Sequence, residues 1–141
     1  MAINSFSGEY RFLSNFYMCD VCYKGIIYPS SEHAYQAAKT NSIDEKLEIA
    51  LLCSPNEAKK KARSFKLIPE WDTEKMIIMF EICFLKFHQN NDLRIKLIAT
   101  GKNLLIEGNT WGDTFWGMCN NKGFNYLGKT LMCVRRILLE D

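Results

Sequence analysis

Several features that mark the larger functional classes of protein are scarce in this sequence. The 141 residues carry 18 Lys and Arg against 16 Asp and Glu, a net charge of +2, which argues against a dedicated polyanion-binding protein while leaving room for a local basic patch. The longest apolar runs, such as residues 76–80, are far too short to span a bilayer. Residues 1–5 show no positive cluster followed by an apolar stretch, so no targeting peptide is expected. We therefore expect a cytoplasmic protein without a membrane partner.

Residues suited to metal binding or nucleophilic catalysis are also few. Only two histidines are present, His33 and His88, so a serine or cysteine triad would have to use one of them. Among the six cysteines, Cys19 and Cys22 have the one metal-like spacing, and no second ligand pair follows to complete a zinc site. The scatter of the cysteines is typical of reduced, buried thiols in a cytosolic protein. Neither a metal nor a cofactor is expected.

The common motifs of nucleotide and hydrolase chemistry are absent as well. Gly112 and Gly117 have the spacing of the P-loop glycines, but Met118 stands where that motif requires lysine. No dinucleotide-binding glycine pattern, zinc-protease motif or nucleophile elbow occurs. Any activity must therefore depend on residues outside these motifs.

The pattern of turns and caps predicts one compact domain over residues 1–141. Its N-terminal part is aromatic and irregular, and short strands are predicted at 10–13, 18–23 and 26–28, with a turn at Lys24 and Gly25. A short buried strand is predicted at 104–106, and residues 108–123 form a loop. The rest is helical, so the fold class is mainly α with a small N-terminal antiparallel β element, about 45–60% helix against the usual third.

The helix starts are predicted from capping residues. Ser30 or Ser31 caps a helix that runs to about residue 41, and Ser42 and Ser54 cap the next two. The remaining helix starts are predicted at Asp72, at Asn91 or Asp92, and at Asn125.

The first predicted helix has two different sides. Glu32, Gln36 and Lys39 are spaced i, i+4 and i+7, so they share one face, and alanines leave the other side small. One interpretation is a solvated face with a weak charge contact. The other is a functional face, in which burial lowers the pKa of Lys39 and makes its amine a nucleophile.

Segment 107–117 is a second candidate for a functional site. It holds two tryptophans, two carboxylates and three glycines in eleven residues that fit neither a regular helix nor a strand. Loops on a rigid scaffold are where sites concentrate, and tryptophan offers a flat face for stacking on a base. The alternative interpretation is that Trp111 and Trp116 fill the core beneath a structural loop.

Four ordered strings resemble a known family. They are Tyr-Arg-Phe-Leu-Ser-Asn-Phe-Tyr at 10–17, Tyr-Pro-Ser-Ser-Glu-His-Ala-Tyr-Gln-Ala-Ala-Lys at 28–39, Asp-Thr-Phe-Trp-Gly at 113–117, and the stretch 123–135. Together they resemble the YbiA-like (NADAR) family over essentially the whole chain. The resemblance implies a helix-rich fold and cleavage of an N-glycosidic bond, either in riboflavin-pathway ribosylamine intermediates or in ADP-ribosylated guanine.

The resemblance also implies a site. The residues it assigns to catalysis are Glu32, Lys39, Glu107 and Asp113. Those it assigns to substrate binding are Asn15, Phe16, Gln36, Trp111, Trp116, Gly117 and Asn125. We predict that Glu32, Lys39, Asp113 and Trp116 converge on one concave pocket.

These residue types suit the reaction. Breaking a C1′–N bond develops oxocarbenium-like charge on the sugar, which carboxylates stabilise while they activate water. Lys39 would stabilise the departing base or a phosphate, or attack C1′ to form a Schiff base. The substrate would be a small nucleotide derivative, with ADP-ribosylated nucleic acid as a further candidate partner. The alternative function is a non-catalytic module that binds ADP-ribose or a nucleotide.

Overall fold

Seven helices and four short strands make up the chain in the computed structural model, which describes residues 1–141. Helices contain 50% of the residues, and the N-terminal part holds a small antiparallel hairpin. The prediction of a mainly α fold with a small antiparallel β element is therefore confirmed. The chain divides into two compact units, residues 15–90 and residues 1–14 with 91–141. The single domain over residues 1–141 stays a prediction.

The unit formed by residues 15–90 begins with a β-hairpin. Strand β2, Met18–Tyr23, pairs antiparallel with β3, Ile26–Ser30, and the register is irregular near the start of β2. Lys24 and Gly25 both have positive φ, 49° and 86°, as a two-residue hairpin turn of matching twist requires. The predicted strands and turn are confirmed here.

Four helices complete this unit: α1 Ser31–Ala37, α2 Ile43–Ala50, α3 Pro55–Ala62 and α4 Trp71–Gln89. The side chains of Ser30, Ser42 and Ser54 each accept a hydrogen bond from a backbone N–H three residues later, so these three predicted caps are confirmed. The prediction of Asp72 as the cap of α4 was wrong. Glu70 precedes the helix, and Asp72 lies in the first turn, where a carboxylate complements the helix dipole.

Helix α1 is shorter than predicted, because it ends at Ala37 instead of near residue 41. The Lys46 ammonium donates to the Ala37 carbonyl oxygen at 3.1 Å, which satisfies an acceptor left over at the helix end. The Thr40 hydroxyl then accepts from the Ser42 N–H at 3.1 Å, and the chain turns into α2. Lys39 therefore lies in a turn beyond the helix, and the polar residues that follow α1 end it.

The other unit contains the two chain ends. Strand β1, Ala2–Ile3, pairs parallel with β4, Leu104–Leu105; β4 was predicted and β1 was not. The strand predicted at 10–13 was wrong, because Gly8–Leu13 is a 3₁₀ helix. Gly8 has a φ of 58°, a conformation in which glycine avoids the steric cost other residues meet, and it turns the chain tightly at the start of this helix.

Helices α5, Asn91–Ala99, and α6, Tyr126–Leu139, complete this unit. Leu127, Leu131 and Val134 recur at helical spacing on α6 and are buried, so this face forms part of the unit's core. None of the helices combines the length and the apolar composition needed to cross a membrane.

The cysteines are less buried than predicted, although no disulfide joins any of them. Cys83 alone is buried, while Cys19 and Cys119 are half-buried and Cys22, Cys53 and Cys133 are exposed. The expectation of buried thiols was wrong for these five. Alternation along β2 turns Cys22 outward and rotation along α6 turns Cys133 outward, whereas Cys19 lies in the irregular start of β2 and Cys53 and Cys119 lie outside the helices and strands.

Candidate functional site

The start of α1 is held by a set of buried hydrogen bonds. The Asn15 carbonyl oxygen accepts from the Glu32 N–H at 3.0 Å, and its side-chain oxygen accepts from the Ser31 hydroxyl at 2.9 Å. The side-chain amide of Asn15 contacts the Met79 sulfur at 3.4 Å. Asn15 is 6% exposed, so its side chain orients α1 for the residues that follow.

Glu32 and Gln36 form a buried pair one turn apart on α1. They are 8% and 3% exposed, and the Gln36 amide nitrogen donates to a Glu32 carboxylate oxygen at 2.6 Å. The interpretation of this face as solvated was therefore wrong. The Gln36 side-chain oxygen is buried without a hydrogen-bond partner, an arrangement that is rare and costly in proteins. A donor on a bound ligand would satisfy it.

Lys39 is half-buried beside two aromatic rings. Its ammonium lies 5.5 Å from the ring centroid of Tyr35 and 5.7 Å from that of Trp71, within cation–π range. Burial lowers the pKa of Lys39, the charge of Glu32 opposes that shift, and two neighbouring lysines add to it. The predicted direction of this shift is confirmed, and a lowered pKa enlarges the fraction of neutral, nucleophilic amine.

Loop 107–118 of the other unit is closed by Asn109. The Asn109 backbone N–H donates to the Met118 carbonyl at 2.9 Å, and its side chain exchanges two hydrogen bonds with the Asp113 backbone at 2.8 and 3.0 Å. One Asp113 carboxylate oxygen accepts from the N–H groups of Phe115 and Trp116 at 3.1 and 2.9 Å. Asp113 therefore holds the loop through a side-chain turn.

Glu107 is held by its neighbours along the same unit. Asn125 has a left-handed φ of 55°; its side chain accepts from the Glu107 N–H at 2.9 Å and donates to the Leu105 carbonyl at 3.0 Å. Gly117 packs so tightly that a Cβ there would overlap the Glu107 carbonyl oxygen. Asn125 and Gly117 therefore position the backbone around Glu107.

The two tryptophans of the loop differ in environment. Trp111 is 68% exposed, so the interpretation that it fills the core was wrong. Trp116 is half-buried and packs edge-to-face on Phe115, with ring centroids 4.8 Å apart. Backbone N–H groups at the start of α6 donate to the carbonyl oxygens of Phe115 and Trp116, which ties the loop to that helix.

The predicted residues thus fall into two groups. The unit of residues 15–90 holds Asn15, Phe16, Glu32, Gln36 and Lys39, and the other unit holds Glu107, Trp111, Asp113, Trp116, Gly117 and Asn125. The structure brings Asn15, Glu32 and Gln36 together in the first group, and Glu107, Gly117 and Asn125 in the second. The convergence of Glu32, Lys39, Asp113 and Trp116 on one pocket stays a prediction.

The sequence analysis missed three residues that lie in the same two units. Trp71 lies beside Lys39, and Asn109 closes the loop. Lys86 on α4 is only 1% exposed, and a lysine in phase with Met79 and Cys83 on the buried face of a helix was a detectable signal. No group of three or more His, Cys, Asp or Glu side chains is arranged to hold a metal ion.

Similar proteins include two named as N-glycosidases. N-glycosidase YbiA of Escherichia coli (strain K12) is 37% identical over 139 residues, covering 95% of this chain and 85% of that protein. An N-glycosidase of Nostoc punctiforme is 38% identical over 132 residues, covering 89% of this chain and 84% of that protein. A riboflavin biosynthesis protein of Vibrio vulnificus is 38% identical over 141 residues, and this chain spans 36% of its length.

A solved structure and a family model are also similar to this chain. The NMR structure of E. coli YbiA superposes with a TM-score of 0.87 at 33% identity, covering 99% of this chain and 84% of that one. The family model of the NADAR domain matches residues 4–139. This chain belongs to the NADAR family.

Proposed function

We propose that this chain is an N-glycosidase that hydrolyses the C1′–N bond of a small nucleotide-derived substrate. Relatives that align over most of their own length are named N-glycosidases. The observation that carries the proposal is the buried Glu32–Gln36 pair with its unpartnered amide oxygen, on the helix that leads into Lys39. A buried carboxylate and an acceptor awaiting a donor are what a sugar-binding catalytic site needs.

The proposed substrates are riboflavin-pathway ribosylamine intermediates, with ADP-ribosylated guanine as the second candidate. The first is supported by the Vibrio relative, which is named a riboflavin biosynthesis protein. Both contain a sugar joined to a base-like nitrogen, and both present a flat ring system. The exposed face of Trp111 suits stacking on such a ring.

Glu32 is the proposed carboxylate at the reacting carbon. As the C1′–N bond breaks, its charge stabilises the oxocarbenium-like sugar, or it takes a proton from the attacking water. Gln36 holds one Glu32 oxygen through the 2.6 Å hydrogen bond. The Gln36 side-chain oxygen then accepts from a hydroxyl or N–H of the substrate. Glu107 and Asp113 are the proposed carboxylates on the loop, and Asn15, Phe16, Trp116, Gly117 and Asn125 are proposed to complete the site.

Lys39 is proposed to act chemically. Its neutral amine attacks C1′ while the C1′–N bond to the base breaks, and the base leaves with a proton. Opening of the sugar ring then gives a Schiff base, and water hydrolyses it to release the sugar and regenerate the amine. The lowered pKa of Lys39 favours this route over a passive phosphate contact.

The activity is tested by incubating the purified protein separately with a ribosylamine intermediate and with ADP-ribosylated guanine, free and in single-stranded nucleic acid. Chromatography should detect the released base and sugar. Glu32→Gln should lower kcat by about 100-fold or more, whereas the exposed control Glu9→Gln should not change it. Tight binding of ADP-ribose or a nucleotide without any release would instead indicate the non-catalytic module.

The role of Lys39 is tested by Lys39→Arg, which keeps the charge but cannot form a Schiff base. Activity should fall by orders of magnitude, and borohydride added during turnover should trap a sugar adduct on the wild type. The matched control is Lys60→Arg on the exposed side of α3. An active Lys39→Arg enzyme without a trapped adduct would remove covalent catalysis and leave a carboxylate as the direct activator of water.

A further inference from the structure

Lys86 and Glu32 are the most deeply buried charged side chains of the protein. His33 is also buried, but its lowered pKa favours the neutral imidazole. Lys86 is 1% exposed and Glu32 is 8% exposed, and no other lysine, arginine or carboxylate is buried. Both belong to the unit of residues 15–90. A buried ion is costly unless an opposite charge or strong hydrogen bonds compensate it. An opposite charge within the same unit would compensate each of them.

The packing brings their backbones to a common point. Met79, Cys83 and Lys86 share one face of α4, being four and three residues apart. Asn15 contacts the sulfur atoms of Met79 and Cys83 at 3.4 and 4.0 Å, and its carbonyl accepts from the Glu32 N–H at 3.0 Å. The face of α4 that carries Lys86 thus meets the start of α1, where Glu32 lies.

The charges of Lys86 and Glu32 both affect the pKa of the Cys83 thiol. Burial raises its pKa to about 12, the charge of Lys86 lowers it, and the charge of Glu32 raises it. Both charges therefore act electrostatically on the same buried sulfur atom. The rings of Tyr17 and Phe87, with centroids 5.8 and 5.1 Å from the Lys86 ammonium, add a favourable cation–π contribution on another side.

We infer that Lys86 is a positioning residue for the glycosidase reaction: its buried ammonium is the counter-charge that keeps Glu32 ionised and oriented. The inference rests on the proposed function in one respect, namely that Glu32 acts on the substrate. Pairing of the two side chains is a separate statement about the folded protein, and it can be measured without any substrate.

Other charged and titratable groups also lie around α1. On α1 and the turn after it, Lys39 also favours the ionised form of Glu32. From α3, Glu57 acts on His33 and Lys59 acts on Lys39, and from α2 the Lys46 ammonium bonds to the end of α1. The hairpin contributes the phenols of Tyr23 and Tyr28, and α4 contributes Lys75 and the Cys83 thiol. Among these groups, no cation other than Lys86 is buried.

The first experiment compares the pH dependence of kcat/KM for the wild type, Lys86→Met, Lys86→Arg and the exposed control Lys60→Met. Without the ammonium, the carboxylate should protonate more readily, so the acidic limb of the Lys86→Met profile should move up by about one pH unit or more. Lys86→Arg restores a charge and should return the limb towards the wild-type position. A loss of activity that is equal at every pH would indicate a purely structural lysine and would overturn the inference.

The second experiment is a denaturant double-mutant cycle with Glu32→Gln, Lys86→Met and the double variant. If the two charges pair, each single change leaves a buried charge uncompensated, and the double variant should unfold at a higher denaturant concentration than Lys86→Met alone. Additive effects would contradict pairing.

A third measurement uses the unaltered protein and covers the case in which Lys86→Met does not fold. The Lys86 side-chain ¹⁵N resonance should respond at the pH at which the Glu32 carboxyl carbon titrates, and titration of Glu32 without that response would also contradict pairing. Coupling without any glycosidase activity would defeat the proposed function and leave the pairing intact.

Discussion

Asp113 gives a sharp test of what loop 107–118 requires, because its roles in structure and in chemistry can be separated. One carboxylate oxygen accepts from the N–H groups of Phe115 and Trp116. Asp113→Asn keeps an acceptor oxygen at that position but removes the charge. Asp113→Ala removes both. Differences between these variants therefore separate the hydrogen bonds from the charge.

The expected magnitudes follow from the two hydrogen bonds. Each contributes about 0.5–1.5 kcal/mol net in a half-buried setting, so Asp113→Ala should lose about 1–3 kcal/mol of unfolding free energy. For a chain of this size that corresponds to a fall in Tm of roughly 3–10 °C. Asp113→Asn should lose less than about 1 kcal/mol, since both bonds can still form. If the charge serves the reaction, its kcat should nevertheless fall by about 100-fold.

The assays are urea unfolding at neutral pH and steady-state kinetics on the same preparations, with the exposed Asp20→Ala as the control for losing a carboxylate. A stable, inactive Asp113→Asn variant would assign Asp113 to chemistry as well as to structure. If Asp113→Asn were as unstable as Asp113→Ala, the two backbone hydrogen bonds would not be what Asp113 contributes, and this reasoning would fail.

Three further predictions concern other parts of the protein. Gly117→Ala should lower the free energy of unfolding in urea by about 1–3 kcal/mol, because the new Cβ overlaps the Glu107 carbonyl. The control Gly112→Ala, at a φ of 84° in open space, should lower it by only about 1 kcal/mol. Equal losses from the two variants would contradict the packing argument. Burial lowers the pKa of His33, so below pH ~6.5 the unfolded chain binds a proton that the native state does not bind. The free energy of unfolding should therefore decrease as the pH is lowered, by at most ~1.4 kcal/mol per pH unit. Unfolding of His33→Gln between pH 5 and 7 should lack this dependence. Asn125→Ala removes two backbone hydrogen bonds and a residue suited to positive φ, and should lower the free energy of unfolding by about 2 kcal/mol; an unchanged denaturation midpoint would refute that role.

Local signals predicted much of the secondary structure. Ser42 and Ser54 cap their helices through contacts within three residues, and the turn at Lys24 and Gly25 depends on two adjacent φ angles. Such features involve few residues close in sequence, so they can be inferred from it. The strand predicted at 10–13 failed because a strand needs a partner, and pairing is decided by residues far away in the chain.

The same division holds for the candidate site. The sequence alone marked Glu32, Gln36 and Lys39 as a set, because helical spacing and the resemblance of the motif both selected them. It did not determine whether this face was solvated or buried, since burial depends on what packs against it. That decision came from Asn15 and from α4, which cover the start of α1.

Helical spacing determined which side chains of this protein share a face, and serine caps determined where three of its seven helices start. Tertiary packing alone decided that Glu32 and Lys86, 54 positions apart in the sequence, are both removed from water. It likewise decided that Asp113 holds its own loop and that Trp111 faces solvent. The physical reason is that periodicity is a property of the backbone, whereas burial, charge pairing and a lowered pKa depend on neighbours that only the folded chain assembles.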